Sequence, residues 1–530
     1  MSVRVVSASQ AAELDANAMA SGVPSRALMQ AAGRSAAALL LERFPLESAR
    51  GVAVFVGPGN NGGDAWVVAG ELARRGVRVR VAEIAEPKTP DAIAAREAAR
   101  AHLDRVPPMH TEGVIVDGLL GTGATGAPRG AIAEAIERIA IQRASDATAA
   151  QGVPLAGALL RVVALDVPSG VDATTGATPG LFVRADLTVT FGSLKRGLLV
   201  NREAAGTIVV VDIGLGAESG RFRQAPPLVD AAMVRAHVPP IVADAHKGIR
   251  KRLAIVGGAL GMAGAPVLAA RAALRSGIGM VKLCVARESM GAVQSAEPAA
   301  MAVAWPETER ERDELLGWAH ALLIGPGIGA TPRARALVGD LLSAWTGPVV
   351  LDADALTMFE GEPGALGALL GAARRTRASP AVITPHVVEF ARLAGLTAAE
   401  VEARRFDVAG ELARTIDATV LLKGVPTVIS DGATTLVSAT GTPVLATAGS
   451  GDVLGGIVAT LVAQTGDALE SAAAAAWVHG RAAEIAAAGQ VRGVTLSDVL
   501  DSLRATWHLD DAAPQPPILA EFAAVGDRPA

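Results

Sequence analysis

At 530 residues the chain exceeds what one ordinary core holds, and a hydrophobic fraction of 51% excludes a largely disordered protein, so a globular chain of about two to four domains is expected. With 48 basic and 53 acidic residues, a formal charge of −5 and no long run of like charge, nucleic acid and anionic membrane are excluded as general partners. A single cysteine, Cys284, leaves no internal disulfide and no cysteine metal cage, and the first residues lack the apolar core of a signal peptide; both point to the cytoplasm.

Residues Ala8 to Leu41 read as two helices, followed by a strand at Gly51 to Val56. Further strands are expected at Val77 to Val81, Gly113 to Asp117, Arg161 to Asp166 and Asp186 to Thr190. Helices are expected between them, near Ala65 to Arg75, Asp91 to His102 and Gly130 to Arg143. Such alternation predicts an α/β fold, here a Rossmann-like three-layer domain with a largely parallel sheet, whose ligands sit beyond the carboxyl ends of the strands. The chemistry-bearing motifs fall at those ends. After the first strand stands Gly57-Pro58-Gly59-Asn60-Asn61-Gly62-Gly63-Asp64. Gly57, Gly59 and Gly62 satisfy the dinucleotide fingerprint, and Glu83, at the end of the next strand, occupies the place of a ribose-binding acid. A nicotinamide dehydrogenase is therefore one reading of this half. The paired amides of Asn60 and Asn61 fit an alternative, because amide oxygens suit an alkali cation or an amide-bearing substrate. Asp117 is followed by a second glycine-rich loop, Gly121-Thr122-Gly123-Ala124-Thr125-Gly126. Asp166 opens Asp166-Val167-Pro168-Ser169-Gly170, and Asp186 to Lys195 closes the series. The alanine-rich stretch Ser145 to Ala158 reads as a surface loop without chemistry.

The segments GPGNNGGD, VDGLLGTG, ALDVPSGVD and ADLTVTFGSLK resemble, in the same order, the N-terminal epimerase domain of the bacterial NAD(P)H-hydrate repair enzymes. The resemblance implies interconversion of the R and S epimers of hydrated NADH and NADPH (NADHX and NADPHX) at carbon six of the nicotinamide ring. It implies that Asn60, Asn61, Gly62, Gly63, Asp64 and the loop Gly121, Thr122, Gly123, Ala124, Thr125, Gly126, Ala127 hold the hydrated dinucleotide. Asn61, Asp117 and Ser169 would ligate potassium, and Asp166 would face the substrate as the acid/base group, with Lys195 a second candidate. Ala65-Trp66 stand where that family usually shows glycine and tyrosine.

The strand Gly206 to Val211 is expected to end the first domain, and Gly214 to Gly220 with Pro226-Pro227 reads as a linker. The uncharged run Leu253 to Ala270 is long enough for a membrane span, but its four glycines after the strand and Pro266 parse it as strand, glycine loop and helix. His246, in Ala245-His246-Lys247-Gly248, is a lone histidine open to a structural or a functional role. Further strand ends carry Gly325-Pro326-Gly327, Asp352-Ala353-Asp354, Thr384-Pro385-His386 and Lys423-Gly424-Val425-Pro426-Thr427. In Ala446 to Gly456, Gly449-Ser450-Gly451 leads into Asp452 and an apolar helical pattern. A helix N-terminus there gathers unpaired N–H groups that suit a phosphate, beside a carboxylate able to take a proton; a plain glycine turn and cap is the simpler reading of those four residues alone.

The order HKG, GPGIG, LDADAL, TPH, LKG and GSGD resembles the ribokinase-like fold, and within it the ADP-dependent NAD(P)H-hydrate dehydratase domain. By that resemblance Lys423, Gly424, Val425, Pro426, Thr427 and Gly451 hold ADP, while Ala265, Gly327, His386 and Asp452 line the hydrate pocket. Asp452 would be the catalytic base and Mg2+ a cofactor alongside ADP and K+. Gly258 to Gly264 lacks the serine, tyrosine and threonine usual in that loop, and Val387-Val388-Glu389 replaces proline-glycine-glutamate. The expected layout is an epimerase domain at 1–217, a linker at 218–230, a dehydratase domain at 231–510 and a C-terminal tail at 511–530, in a homo-oligomer. Two other readings remain: a dehydrogenase fused to a small-molecule kinase, and a nucleotide sensor without turnover.

Overall fold

The computed structural model of the protein describes residues 3–103, 112–150, 159–215, 222–244, 247–374, 380–509 and 514–525. It forms two compact units, Met1–Pro227 with Ala512–Val525, and Leu228–Asp511 with Gly526–Ala530. In chain order the strands are β1 (Val5–Val6), β2 (Val52–Val56), β3 (Val79–Glu83), β4 (Val114–Gly118), β5 (Arg161–Leu165), β6 (Leu187–Phe191), β7 (Leu194–Lys195) and β8 (Thr207–Val211) in the first unit. The second holds β9 (Arg252–Val256), β10 (Met280–Val285), β11 (Met301–Ala304), β12 (Ala321–Ile324), β13 (Val349–Leu351), β14 (Ala381–Ile383), β15 (Thr419–Leu422), β16 (Thr427–Ser430) and β17 (Thr435–Ser438). The last strand, β18 (Ile518–Phe522), returns to the first unit.

The first sheet runs β18-β8-β6-β5-β4-β2-β3, parallel throughout except for β18. Its strands are apolar on both faces because both are covered. Val52, Val54 and Val56 meet the helices Ser25–Arg43 and Asn60–Arg74 on one side. Ala53 and Phe55, one residue out of phase, join Ile136 and Ile139 of the helix Gly130–Ala150 on the other. From β2 the chain moves outward to β3, then crosses to β4 on the other flank. The order reverses between β2 and β4, and the crevice outside their carboxyl ends is where such a sheet leaves room for a ligand.

The second sheet runs β11-β10-β9-β12-β13-β14-β15-β16-β17, parallel from β11 to β15 and antiparallel in its last two pairings. Its reversal lies between β9 and β12. Leu253, Ile255, Leu323 and Val350 pack under the helices Gly264–Arg275 and Ser450–Thr465, while Ala254, Val256, Leu322 and Leu351 face the helix Pro332–Ala344. No described helix is long and apolar enough to cross a membrane, and the uncharged run at Leu253 resolves into β9, a glycine loop and a helix.

Three expectations need correction. The helix Gly130–Ala150 runs through the first part of the supposed surface loop 145–158. Alanine there favours helix, and Asp146 fastens its end to Arg50 at 3.3 Å and to the Leu160 N–H at 2.6 Å. Residues 151–158 lie outside the described residues, as does His246. The helix expected from Ala65 begins at Asn60, so the paired asparagines occupy its first turn. Finally, the supposed tail 511–530 carries β18, which pairs antiparallel with β8 and closes the sheet edge. Glu521 meets Arg43 at 2.8 Å, and Arg202 donates to the Ala523 carbonyl at 2.6 Å while stacking 5.5 Å from the Phe522 ring.

A chain truncated after Asp511 should therefore lose on the order of 2 kcal/mol from the first unit. Differential scanning calorimetry should show that unit's Tm falling by about 4–8 °C.

Candidate active sites

At the first reversal point the β2 and β4 loops touch: a Cβ on Gly57 would collide with the Leu119 carbonyl, so only glycine fits. Gly59 caps the helix Asn60–Arg74 without any side-chain hydrogen bond, so no side chain occupies the first-turn N–H groups. Asn61 is buried; its Nδ2 donates to the Leu120 carbonyl at 2.7 Å, and its Oδ1 has no partner among the described residues. Asp117, fully buried at the end of β4, accepts from Ser169 Oγ at 2.6 Å, from Ser169 N–H at 2.8 Å and from Leu119 N–H at 3.2 Å. The Leu120 N–H donates to Ser169 Oγ at 2.9 Å, so Asn61, Asp117 and Ser169 converge on one point. Burial pushes the Asp117 carboxyl up to about 6, against the pull of those hydrogen bonds, and no basic side chain among the described residues pairs with it. An orphaned amide oxygen beside a buried acid lacking a counter-charge is an environment that fits a hard monovalent cation.

A second group stands alongside. Asp166 takes a positive φ of 63°, unusual for a residue with a side chain, immediately after β5. Its Oδ1 lies 2.6 Å from Lys195 Nζ, which also donates to the Phe191 carbonyl at 2.9 Å. Lys195 is held there by the short parallel ribbon in which Val6 pairs with Lys195 and Val5 with Leu194. The Asp64 carboxyl is pushed well above the usual carboxylate range, first by burial and then by Asp166 and Asp15, with Lys195 opposing. Asp15 is exposed on the helix Ala8–Ala20 and stands at the rim of this group; partial desolvation raises its carboxyl, with Lys195 opposing and Asp166 adding. Asp15 is a member that sequence reasoning misses; its one signal is a place next to Leu14 on the buried stripe Ala11, Leu14, Ala18. The loop Gly121 to Ala127 is largely open, and Gly121, Ala124 and Gly126 share a hollow with Pro168, Gly170 and Asp172. Trp66 is buried in the core beneath the sheet. Glu83 pairs with Arg96 at 2.6 Å and Arg100 at 3.2 Å, so the acid a dehydrogenase would turn toward a ribose is already engaged.

In the second unit Gly449, at φ 91°, starts the helix Ser450–Thr465, and Asp452 sits in its first turn without capping it. The helix thus starts from a glycine turn, as the simpler reading has it, and the Asp452 carboxylate is not spent on capping. A Cβ on Gly451 would stand 3.0 Å from Lys423 Nζ and 3.4 Å from Asp352 Oδ2, so an ammonium and a carboxylate lie directly against the helix start. Lys423 Nζ is 2.8 Å from Asp352 Oδ1 and 3.7 Å from Glu389 Oε2. Burial pushes Asp452 up to about 7, with Asp352, Asp354 and Glu389 adding and Lys423 opposing. Burial works against the charge on Lys423, yet Asp352, Glu389 and Asp452 together raise its pKa. Ala265 and Gly327 are neighbours across the β9 and β12 loops, where Met262 also packs. His386 is exposed, and its Nδ1 accepts from Val388 and Glu389 N–H groups at 3.1 and 3.3 Å, capping the helix Val387–Ala394. Its other nitrogen, Nε2, stands 3.5 Å from Glu389 Oε1.

The loop Lys423 to Thr427 is braced by a residue without any sequence signal. Arg405, nearly buried, donates from Nη1 to the Lys423 and Pro426 carbonyls, both at 3.2 Å, and its guanidinium fills the space that a Gly424 side chain would need. Thr427 Oγ1 closes the loop onto the Gly424 carbonyl at 2.6 Å. His479, buried on the helix Leu469–Ala487, is lowered to about 4 by burial and by Lys423. Among the described residues no three acids, histidines or cysteines are placed to hold a metal ion by themselves.

Two family models match this arrangement: one described as NAD(P)H-hydrate dehydratase over residues 253–504, and one described as YjeF-related protein N-terminus over residues 25–197. The bifunctional NAD(P)H-hydrate repair enzyme Nnr of Moorella thermoacetica is 36% identical over 516 residues, covering 91% of this chain and 92% of that protein. The chain belongs to the bifunctional NAD(P)H-hydrate repair enzymes. Their Escherichia coli K12 member is 33% identical over 488 residues, covering 90% of this chain and 88% of that protein. Among solved structures, the ADP/ATP-dependent NAD(P)H-hydrate dehydratase of Bacillus subtilis, co-crystallised with ATP/Mg2+, aligns at 27% identity and a TM-score of 0.47, covering 53% of this chain and 98% of that one.

Because Arg405 bridges two loop carbonyls from a buried position, Arg405→Met should leave both unsatisfied. Urea unfolding of the second unit should register a loss of about 2–4 kcal/mol.

Proposed function

We propose that the chain repairs hydrated NADH and NADPH in two steps. The first unit interconverts the R and S hydrates at carbon six, and the second dehydrates the S form at the expense of ADP, releasing AMP and phosphate. The observation that carries the reading is Asp452, poised near neutrality in the first turn of a glycine-started helix with the Lys423 ammonium against the same turn. In dehydration Asp452 takes the proton from the ring hydroxyl while the oxygen attacks the terminal phosphorus of ADP, and the bond to AMP breaks. Helix N–H groups and Lys423 stabilise the charge gathering on that phosphoryl group. The ring-nitrogen lone pair then expels phosphate, and loss of a proton from the adjacent ring carbon completes the dihydropyridine. Magnesium enters this scheme with the nucleotide, as part of the substrate.

In the first cleft Asp166 serves as the acid/base group at carbon six, and Lys195 fixes its carboxylate at 2.6 Å. Asn60 to Asp64 and Gly121 to Ala127 hold the dinucleotide, whose diphosphate suits the open helix N-terminus. Asn61, Asp117 and Ser169 hold potassium, whose charge would balance the buried carboxylate and draw in substrate oxygens. The two activities belong together, because water adds to either face of the reduced ring while the dehydratase accepts one epimer.

The test is turnover of each purified epimer with ADP, magnesium and potassium, read as recovery of dihydronicotinamide absorbance. Asp452→Asn should lower dehydration about 10²–10⁴-fold and leave epimerisation intact, whereas Asp166→Asn should do the reverse. A kinase of a vitamin alcohol would instead consume ATP without restoring that absorbance. Dehydration should rise with pH through about 7, because the base acts only after losing its proton. Potassium chloride, but not choline chloride at equal ionic strength, should raise the Tm of the first unit by about 3–6 °C at tenfold excess over Kd. Asn61→Ala should abolish that rise.

A further inference from the structure

Asp352 has no part in the roles assigned above, yet it is the most enclosed acid of the second cleft, with 1% of its surface exposed. Its main chain is gripped on both sides: its N–H donates to the Ile324 carbonyl at 3.1 Å, its own carbonyl accepts from Ala355, and that carbonyl lies where any Gly325 side chain would have to go. The next residue, Ala353, takes a positive φ of 51°, so the turn after β13 is held in a conformation few side chains adopt freely. The carboxylate therefore has a fixed position. One oxygen holds Lys423 Nζ at 2.8 Å, and the other stands 3.4 Å and 3.7 Å from the places a Cβ would take on Gly451 and Gly455. A negative charge at that depth beside a helix start is costly unless paired, and Lys423 is the pairing group.

We propose that Asp352 is a positioning residue for the dehydration reaction: it fixes the Lys423 ammonium against Gly451, where the terminal phosphate of a nucleoside diphosphate meets the helix, and it sets a second negative charge beside Asp452. The inference rests on the dehydration reading above. Charged groups reach this point from four elements. Asp352 and Asp354 come from the turn after β13, Lys423 from the end of β15, Glu389 from the helix Val387–Ala394, and Asp452 from its own helix. His479, from the helix Leu469–Ala487, faces Lys423 uncharged. In this arrangement Asp352 and Lys423 act on Asp452 with opposite sign, so removing each should move the base in opposite directions.

The experiment measures kcat/KM for dehydration against pH with the full chain as wild type, Asp352→Asn, Asp352→Glu and Lys423→Met. Asp352→Asn should move the acid limb about one unit toward lower pH and raise the KM for ADP about tenfold, since the ammonium is no longer held. Asp352→Glu should recover part of the KM, and Lys423→Met should move the limb toward higher pH. An Asp352→Asn limb that coincides with wild type overturns the proposal, as does recovery of that variant by added magnesium alone, which would make Asp352 a metal ligand. If Asp352→Asn fails to fold by circular dichroism, an unmoved limb in Lys423→Met overturns it equally. A wild-type chain that never dehydrates the hydrate defeats the dehydration reading itself, a separate outcome from any of these.

Discussion

Each cleft depends on one lysine, Lys195 buried and Lys423 half-buried, that lets several carboxylates share a space they could not otherwise occupy. Lys195 sits against Asp166 with Asp64 and Asp15 around it; Lys423 sits against Asp352 with Glu389 and Asp452 around it. Desolvating an acid at a sheet tip costs several kcal/mol if it stays ionised and unpaired, and two acids together repel as well. With one cation among several anions, the compensation is incomplete. The leftover shows as carboxyls driven above their ordinary range, Asp64 in one cleft and Asp452 in the other. Asp452, at about 7, exchanges protons near neutral pH, which an acid/base role requires.

The parallel sheet supplies the positions for these charges. Its reversal points lie between β2 and β4 in one unit and between β9 and β12 in the other, and the loops there are glycine-rich because backbones must touch. Strands buried on both faces keep the tips rigid, so an acid following a strand stays where it is put. The helices starting at Asn60 and Ser450 then direct free N–H groups over the same tips. Acid, lysine and amide donors are thus assembled from segments remote in sequence.

That remoteness explains what the sequence discloses and what it hides. Strand ends, glycine loops and the acids directly after them are local patterns, so residue order marks Asn61, Asp117, Asp166, Lys423 and Asp452 as candidates, while the roles proposed for them come from the resemblance. The Ser169 to Asp117 hydrogen bond and the nearness of Lys423 Nζ to the place a Gly451 side chain would take are consistent with the grouping the resemblance implies. Asp15 is hidden because its neighbourhood depends on Val6 pairing with Lys195, far along the chain. Arg405 is hidden because an arginine in a helix carries no mark of the carbonyls it will meet. His386 shows the opposite failure: a motif residue whose nearer ring nitrogen is spent on capping a helix, a use no spacing distinguishes from ligand binding. The start of the helix at Asn60 is hidden for a related reason, since asparagine and glycine score as loop formers until packing on the helix Ser25–Arg43 overrides them.

The strand β18 makes the first unit discontinuous: its sheet is finished by residues synthesised about 300 positions after β8, beyond nearly all of the second unit. Throughout translation the β8 edge waits unpaired while about 300 further residues are added and the other unit condenses. Over that interval the growing chain presents an open ladder of N–H and C=O groups, to be guarded until β18 arrives. Separating the two halves into independent genes would thus have to be accompanied by a new way of sealing that edge.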